Sequence, residues 1–131
     1  MVVATEMTLH LASEPSSIAR ARRTVRELGA ELEKRVVDDA ELLASELVTN
    51  AVRHGRPLIR LTVAVEDHAI TVRVFDAGRR RPVVQPDVGP DVPSGRGLLM
   101  VDLVATAWGV ESEPGAEGKT VWFRLEEREW N

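Results

Sequence analysis

The stretch Glu46-Leu47-Val48-Thr49-Asn50-Ala51-Val52-Arg53-His54-Gly55-Arg56 decides how this chain reads. It closes a strongly helical segment over 36–54, which Gly55-Arg56-Pro57 ends. Leu43, Ala44, Leu47, Val48 and Ala51 recur at helical spacing and predict a core face. Glu46, Asn50, Arg53 and His54 follow one another at spacings of 4, 3 and 1, and share the other face. Long charged side chains alone would make an ordinary solvated face. A short Asn in mid-helix is a poor helix former, because its amide competes for the backbone. Asn50 therefore points to a ligand. Its side-chain oxygen is a neutral, hard donor suited to a magnesium ion that already carries phosphate oxygens. Glu46, one turn earlier, is a candidate general base for a hydroxyl or a water. Glu and Asn four apart also occur in helices without function, so this cluster needs support from the rest of the chain.

Outward from it, the patterns build an α+β chain. Residues 7–12 alternate and predict a short strand. Ser13-Glu14-Pro15 reads as a helix start with Ser13 as cap. The helix over 15–28 buries Ile18, Ala21, Val25 and Leu28, and Gly29 stops it. Arg20, Arg22, Arg23 and Arg26 coat its outer side, either as a solvated face or as a docking surface for an acidic partner. After the second helix, 58–65 and 69–75 alternate around the turn Glu66-Asp67-His68. The apolar side of this hairpin carries Leu61, Val63, Val65, Ile70, Val72 and Val74.

Residues 76–96 have no periodicity and hold Pro82, Pro86, Pro90, Pro93 and the run Arg79-Arg80-Arg81. A loop of that length in a small domain is commonly functional. A helix over 97–105, a strand over 108–112, a turn over 113–118 and a strand over 119–125 complete the chain. The expected architecture is a two-layer α/β sandwich. Its sheet would be mixed and mostly antiparallel, covered on one face by three helices.

Composition narrows the function. At 131 residues with 44% apolar content, the chain suits one domain with a full core. It has no cysteine, which removes disulfides, zinc-thiolate sites and thiol nucleophiles. Its net charge of −4 argues against non-specific nucleic-acid binding, which depends on neutralising phosphates. His10, His54 and His68 are too scattered for a metal cluster. Neither a bilayer-spanning run nor a secretion signal is recognisable, so a cytoplasmic location is expected.

Two further motifs could meet the helix face at one ligand. Phe75-Asp76-Ala77-Gly78 ends an apolar strand on a carboxylate followed by glycine. It is either a plain turn or a carboxylate that accepts from an exocyclic amine such as adenine's, with Gly78 allowing close approach of the base. Ser94-Gly95-Arg96-Gly97-Leu98 leads into a helix. It is either a flexible joint or a set of backbone N–H groups directed at an anion, with the helix dipole adding to the attraction.

Taken together and in this order, the three motifs resemble the ATP-binding fold of gyrase-type topoisomerases and histidine kinases, the Bergerat fold. The chain is most similar to the small anti-sigma-factor serine/threonine kinases and related ATP-binding regulators of actinobacteria, over about residues 8–126. The resemblance implies Asn50 as magnesium ligand and Glu46 as catalytic base. It implies Asp76 and Gly78 at adenine, and Gly95, Arg96, Gly97 and Leu98 at the phosphates. Thr120 of Gly118-Lys119-Thr120 would lie near adenine, and 79–94 would form the ATP lid. Where the family has a second glycine after the Asp-x-Gly motif, this chain has Arg80.

The resemblance further implies ATP and Mg2+ as cofactors, and a sigma factor and an anti-sigma-factor antagonist as partners. It also implies a homodimer formed through the first strand and first helix. The alternative is a non-catalytic, ATP-sensing interaction module. A detached histidine-kinase ATP domain fits less well, because no helix pair presents a phosphoacceptor histidine.

Overall fold

In the computed structural model, which describes residues 4–78, 93–112, 115 and 117–128, alternation and helical periodicity sort the chain into two layers. The elements are β1 (Ala4–Leu11), α1 (Ser16–Leu28), α2 (Lys34–His54), β2 (Ile59–Glu66), β3 (Ala69–Asp76), α3 (Pro93–Val104), β4 (Ala107–Glu111) and β5 (Lys119–Glu126). The sheet order is β1-β2-β3-β5-β4. All four pairings are antiparallel, so the parallel component implied by a mixed sheet is missing among the described residues. The reason is the route of the chain. β5 returns beside β3, and β4 pairs only with β5, at the sheet's edge.

One face of the sheet meets the helices. Period-two burial puts Ile59, Leu61 and Val63 of β2, Ile70, Val72 and Val74 of β3, and Val121, Phe123 and Leu125 of β5 in the core. α2 crosses them with Val36, Val37, Ala40, Leu43, Ala44, Leu47, Val48 and Ala51, all buried. Each such Val, Leu or Ile contributes about 1.5–3 kcal/mol by leaving water. Alanines at 40, 44 and 51 leave room for close packing around the helix.

α1 begins after Pro15, with no side-chain cap. Ser13, expected as that cap, donates instead to the Val52 carbonyl at 3.4 Å. Ser17 is buried and donates to the Ala12 carbonyl at 2.6 Å, fastening the start of α1 to the end of β1. Arg26 of α1 forks onto both Glu41 oxygens of α2, at 3.0 and 3.1 Å.

The hairpin β2–β3 turns on Asp67 and His68, both at positive φ (49° and 69°), as a two-residue primed turn requires. The His68 ring nitrogen Nδ1 lies 2.7 Å from Glu127 Oε1, and Glu127 Oε2 accepts the Glu33 N–H at the start of α2, also at 2.7 Å. One carboxylate therefore ties the hairpin tip, the start of α2 and the end of β5.

α3 begins at Pro93, four residues before the expected 97, so Gly95 and Gly97 lie within its first turns. Leu98 and Val101 bury one side of it. At its far end, Trp108 Nε1–H donates to Asp102 at 2.8 Å. On the sheet face away from the helices, Arg60 stacks over Phe75 and Arg73 over Trp122. The Trp122 ring packs onto Gly109, where a Cβ would come within 2.9 Å of it.

Candidate functional site

β3 ends on Asp76, whose position in the register is fixed on both sides. Ile59, the first residue of β2, is its partner on one side and Lys119, the first residue of β5, on the other. The alternation that buries Val72 and Val74 turns Asp76 to the same helix-facing side. It is only 5% exposed.

A carboxylate withdrawn from water needs partners. Gly78 N–H donates to Asp76 Oδ1 at 2.8 Å, and Arg56 N–H makes a longer approach at 3.4 Å. The Lys119 ammonium reaches Oδ1 at 3.1 Å and Oδ2 at 3.0 Å. Lys119 is itself buried, at 8% exposure, as lysine seldom is unless paired.

The end of α2 is built into this carboxylate. A Cβ on Gly55 would lie 2.6 Å from Asp76 Cγ and 2.7 Å from the Ala51 carbonyl oxygen. A Cβ on Gly78 would lie 2.8 Å from Asp76 Oδ1 and 3.6 Å from Gly55 Cα. Ala77 N–H closes the junction by donating to the Arg56 carbonyl at 2.9 Å. Glycine at 55 and 78 is thus what lets the helix end and the strand end touch. The structure brings together Gly55, Asp76, Gly78 and Lys119.

Asn50 lies five residues back from Gly55 along α2, and Glu46 one turn before that. Both side chains are half-buried, with no hydrogen-bond or ion-pair partner among the described residues. Arg53 and His54 are exposed. Among the described residues the Glu46/Asn50 face is thus unpartnered, on the helix whose end meets a buried carboxylate. No group of three or more His, Cys, Asp or Glu that could hold a metal by itself occurs among the described residues. That donor set fits an ion held by one amide oxygen with the ligand's own phosphates, as magnesium commonly is.

Gly95, Arg96 and Gly97 sit inside α3 rather than ahead of it. The first four N–H positions of a helix lack intrahelical acceptors. With Pro93 first in the helix, the N–H of Gly95 stays outside the helical ladder, whereas those of Arg96 and Gly97 fall within it. The Leu98 side chain is in the core, 1% exposed. The expected lid, 79–94, lies outside the described residues over 79–92, and its last two residues begin α3.

Thr120 is not on the Asp76 side. Residues 119, 121, 123 and 125 of β5 are buried against the helices, and Thr120 alternates to the other face, opposite Phe75. Lys119, and not Thr120, lies beside the Asp76 carboxylate. Its signal was in the sequence, since Lys119 is in phase with Val121, Phe123 and Leu125.

A model of the family described as "Histidine kinase-like ATPase domain" matches residues 11–125. An anti-sigma F factor of Clostridium acetobutylicum is 28% identical over 129 residues, covering 88% of this chain and 90% of that protein. The crystal structure of the RsbU and RsbW domains of a Mycobacterium tuberculosis protein superposes with a TM-score of 0.70 at 21% identity. That match covers 93% of this chain and 32% of the longer one. At that identity the likeness is one of fold.

Proposed function

The chain belongs to the histidine kinase-like ATPase domain family, and from that premise we propose that it is an ATP-binding anti-sigma factor with serine/threonine kinase activity. The observation that carries this reading is the junction of Gly55, Asp76 and Gly78, which sets a buried carboxylate at the end of the helix bearing Asn50 and Glu46. Asp76 would read the nucleotide base, with Gly78 allowing it to come close. Gly95 would offer its backbone N–H to the phosphates, with Arg96 and Gly97 following it in the first turns of α3. Asn50 would hold magnesium, which when bound supplies charge neutralisation between the phosphates.

In the transfer itself, a serine or threonine hydroxyl of a partner protein attacks the γ-phosphorus while the bond to the ADP oxygen breaks. Glu46 takes the hydroxyl proton. Catalysis is mostly positioning and electrostatic stabilisation. The acceptor would be an antagonist protein whose binding is weakened by the added phosphate charge. The kinase would then be free to hold a sigma factor. A homodimer through β1, an edge strand, and α1 belongs to the same proposal.

The test is phosphate transfer from Mg-ATP to antagonists that bind the protein. Wild type should label them and Glu46→Ala should lose at least a hundredfold in rate. Equal, negligible transfer by both proteins to every bound antagonist sinks the kinase claim.

A second reading, a non-catalytic ATP-sensing module, is favoured by one observation: both oxygens of Asp76 already face Lys119. Calorimetry separates the two. Partner binding that ignores nucleotide and survives Asn50→Ala supports the module.

A further inference from the structure

The sheet face away from the helices carries two guanidiniums that meet rings and no acid. Strand alternation turns Arg60 of β2, Arg73 and Phe75 of β3, and Trp122 of β5 to that face. Arg60 Cζ lies 4.6 Å from the centroid of the Phe75 ring, and Arg73 Cζ lies 5.9 Å from that of Trp122. Both arginines are exposed, and neither has a carboxylate within ion-pair distance among the described residues. Arg124, on the same face, already donates to Glu126 at 3.1 Å. A guanidinium held over a ring has given up much of its rotamer freedom before any partner arrives. The ring takes one side of the cation and leaves its fork of N–H donors for another group. With a net charge of −4, the chain repels acidic partners except where unneutralised cations collect.

The register sets the spacing of the pair. Arg60 lies opposite Phe75, and Arg73 is two residues along β3 from Phe75. That diagonal separates their strand positions by about 7–8 Å. Each guanidinium leans one strand further in the same direction, Arg60 onto β3 and Arg73 onto β5, so the spacing is kept. Alternate residues of an extended chain are about 6.6–6.8 Å apart. Carboxylates two residues apart on an extended segment therefore match the pair, and each can accept from its guanidinium in bidentate fashion. A polynucleotide fits less well. Its bases need the ring faces that the arginines occupy. Glu6, Glu66, Glu111 and Glu126 also stand around this face and oppose a long run of phosphates.

We propose that the Arg60–Arg73 face is a docking surface for an extended acidic segment of a partner protein, with one carboxylate on each guanidinium. The surface lies on the side of the sheet opposite α2, so it stands apart from the nucleotide reading of Asn50 and Asp76. Exposed ion pairs are individually weak and screened by salt, which makes the contact reversible and dependent on ionic strength.

The experiment is binding of a fluorophore-labelled synthetic peptide alternating Glu and Thr to the full chain at low ionic strength, read by anisotropy. Wild type should bind it saturably, less tightly as salt is raised, and should not bind the matching Gln/Thr peptide. Arg60→Gln with Arg73→Gln should weaken binding about tenfold. Arg60→Lys with Arg73→Lys keeps the charge but not the fork, so it should fall between the two. The Lys pair also serves as the test if the Gln pair does not fold. Failure of the Glu/Thr peptide to bind wild type overturns the proposal, and so does an affinity unmoved by substitution. An oligothymidylate that displaces the peptide from wild type and no longer binds the Gln pair makes this a nucleic-acid surface instead. A change of oligomeric state in the Gln pair, read by sedimentation, assigns the face to a second copy of the chain and overturns the proposal equally.

Discussion

At the scale of single residues, the junction of α2 and β3 is defined by what two glycines leave out. Gly55 has no room for a methyl group, because its nearest neighbours are the Ala51 carbonyl and the Asp76 carboxyl. Gly55→Ala should cost about 1–3 kcal/mol, as overpacking commonly does, and should weaken nucleotide binding at the same time. Denaturant titration and calorimetry on one sample measure both, and unchanged stability would show that the junction yields. A second residue-scale prediction concerns Glu127. The hydrogen bond with His68, then the Glu33 N–H, hold its carboxyl below the ordinary value of 4.5, against an opposing effect of burial. A depressed carboxyl pKa stabilises the fold above the unfolded value, and that gain is lost as pH falls through the folded value. Wild type should therefore exceed Glu127→Gln in stability at pH 6, with the difference closing below about pH 4.5. A difference that persisted unchanged at pH 3 would contradict this. Asp76, Gly78 and the polar face of α2 were legible from residue type and order. Lys119 was less legible, because a lysine at a strand start reads as solvated and only strand alternation places it on the helix-facing side.

At the scale of elements, periodicity located all eight elements of the described residues, since burial on one side of each leaves an alternating or helical trace in the sequence. Their ends were less legible where local and tertiary preferences compete. α3 begins at Pro93, a residue suited to a first helical turn, and runs on through Gly95 and Gly97. Glycine is a weak helix former, so the sequence suggested a later start. This placement lets the helix propensity of Gly97 be separated experimentally from any part in phosphate binding. Gly97→Ala should stabilise the helix by roughly 0.5–1 kcal/mol while lowering ATP affinity, if close phosphate approach is the reason for glycine there. Thermal denaturation with and without ATP reads both quantities. A gain in stability and in affinity together would leave Gly97 no part in phosphate binding. Ser13 is a comparable case: its side chain suits a cap, yet the Val52 carbonyl takes it.

At the scale of the whole molecule, one sheet carries helices on one side and leaves its other side with two cation–aromatic stacks. No helix among the described residues is long and apolar enough to cross a membrane. A ligand that binds only the folded form adds RT ln(1 + [L]/Kd) to stability, about 2.7 kcal/mol at a hundredfold excess over Kd. Mg-ATP at that excess should raise the unfolding midpoint of wild type. Asn50→Ala at the same nucleotide concentration should lose most of the gain. An equal rise in both proteins would take Asn50 out of the site.

The hydrogen bond from Trp108 to Asp102 has a practical consequence. It couples an indole on β4 directly to α3, the helix whose first turn is proposed to meet the phosphates. Trp122 lies on the outer sheet face, with Arg73 over its ring, away from that helix. Of the three tryptophans in the sequence, Trp108 thus reports on α3 and Trp122 on the opposite sheet face. Ultraviolet emission can follow nucleotide arrival in real time without a label, and Trp108→Phe should silence that response while the Trp122 signal remains.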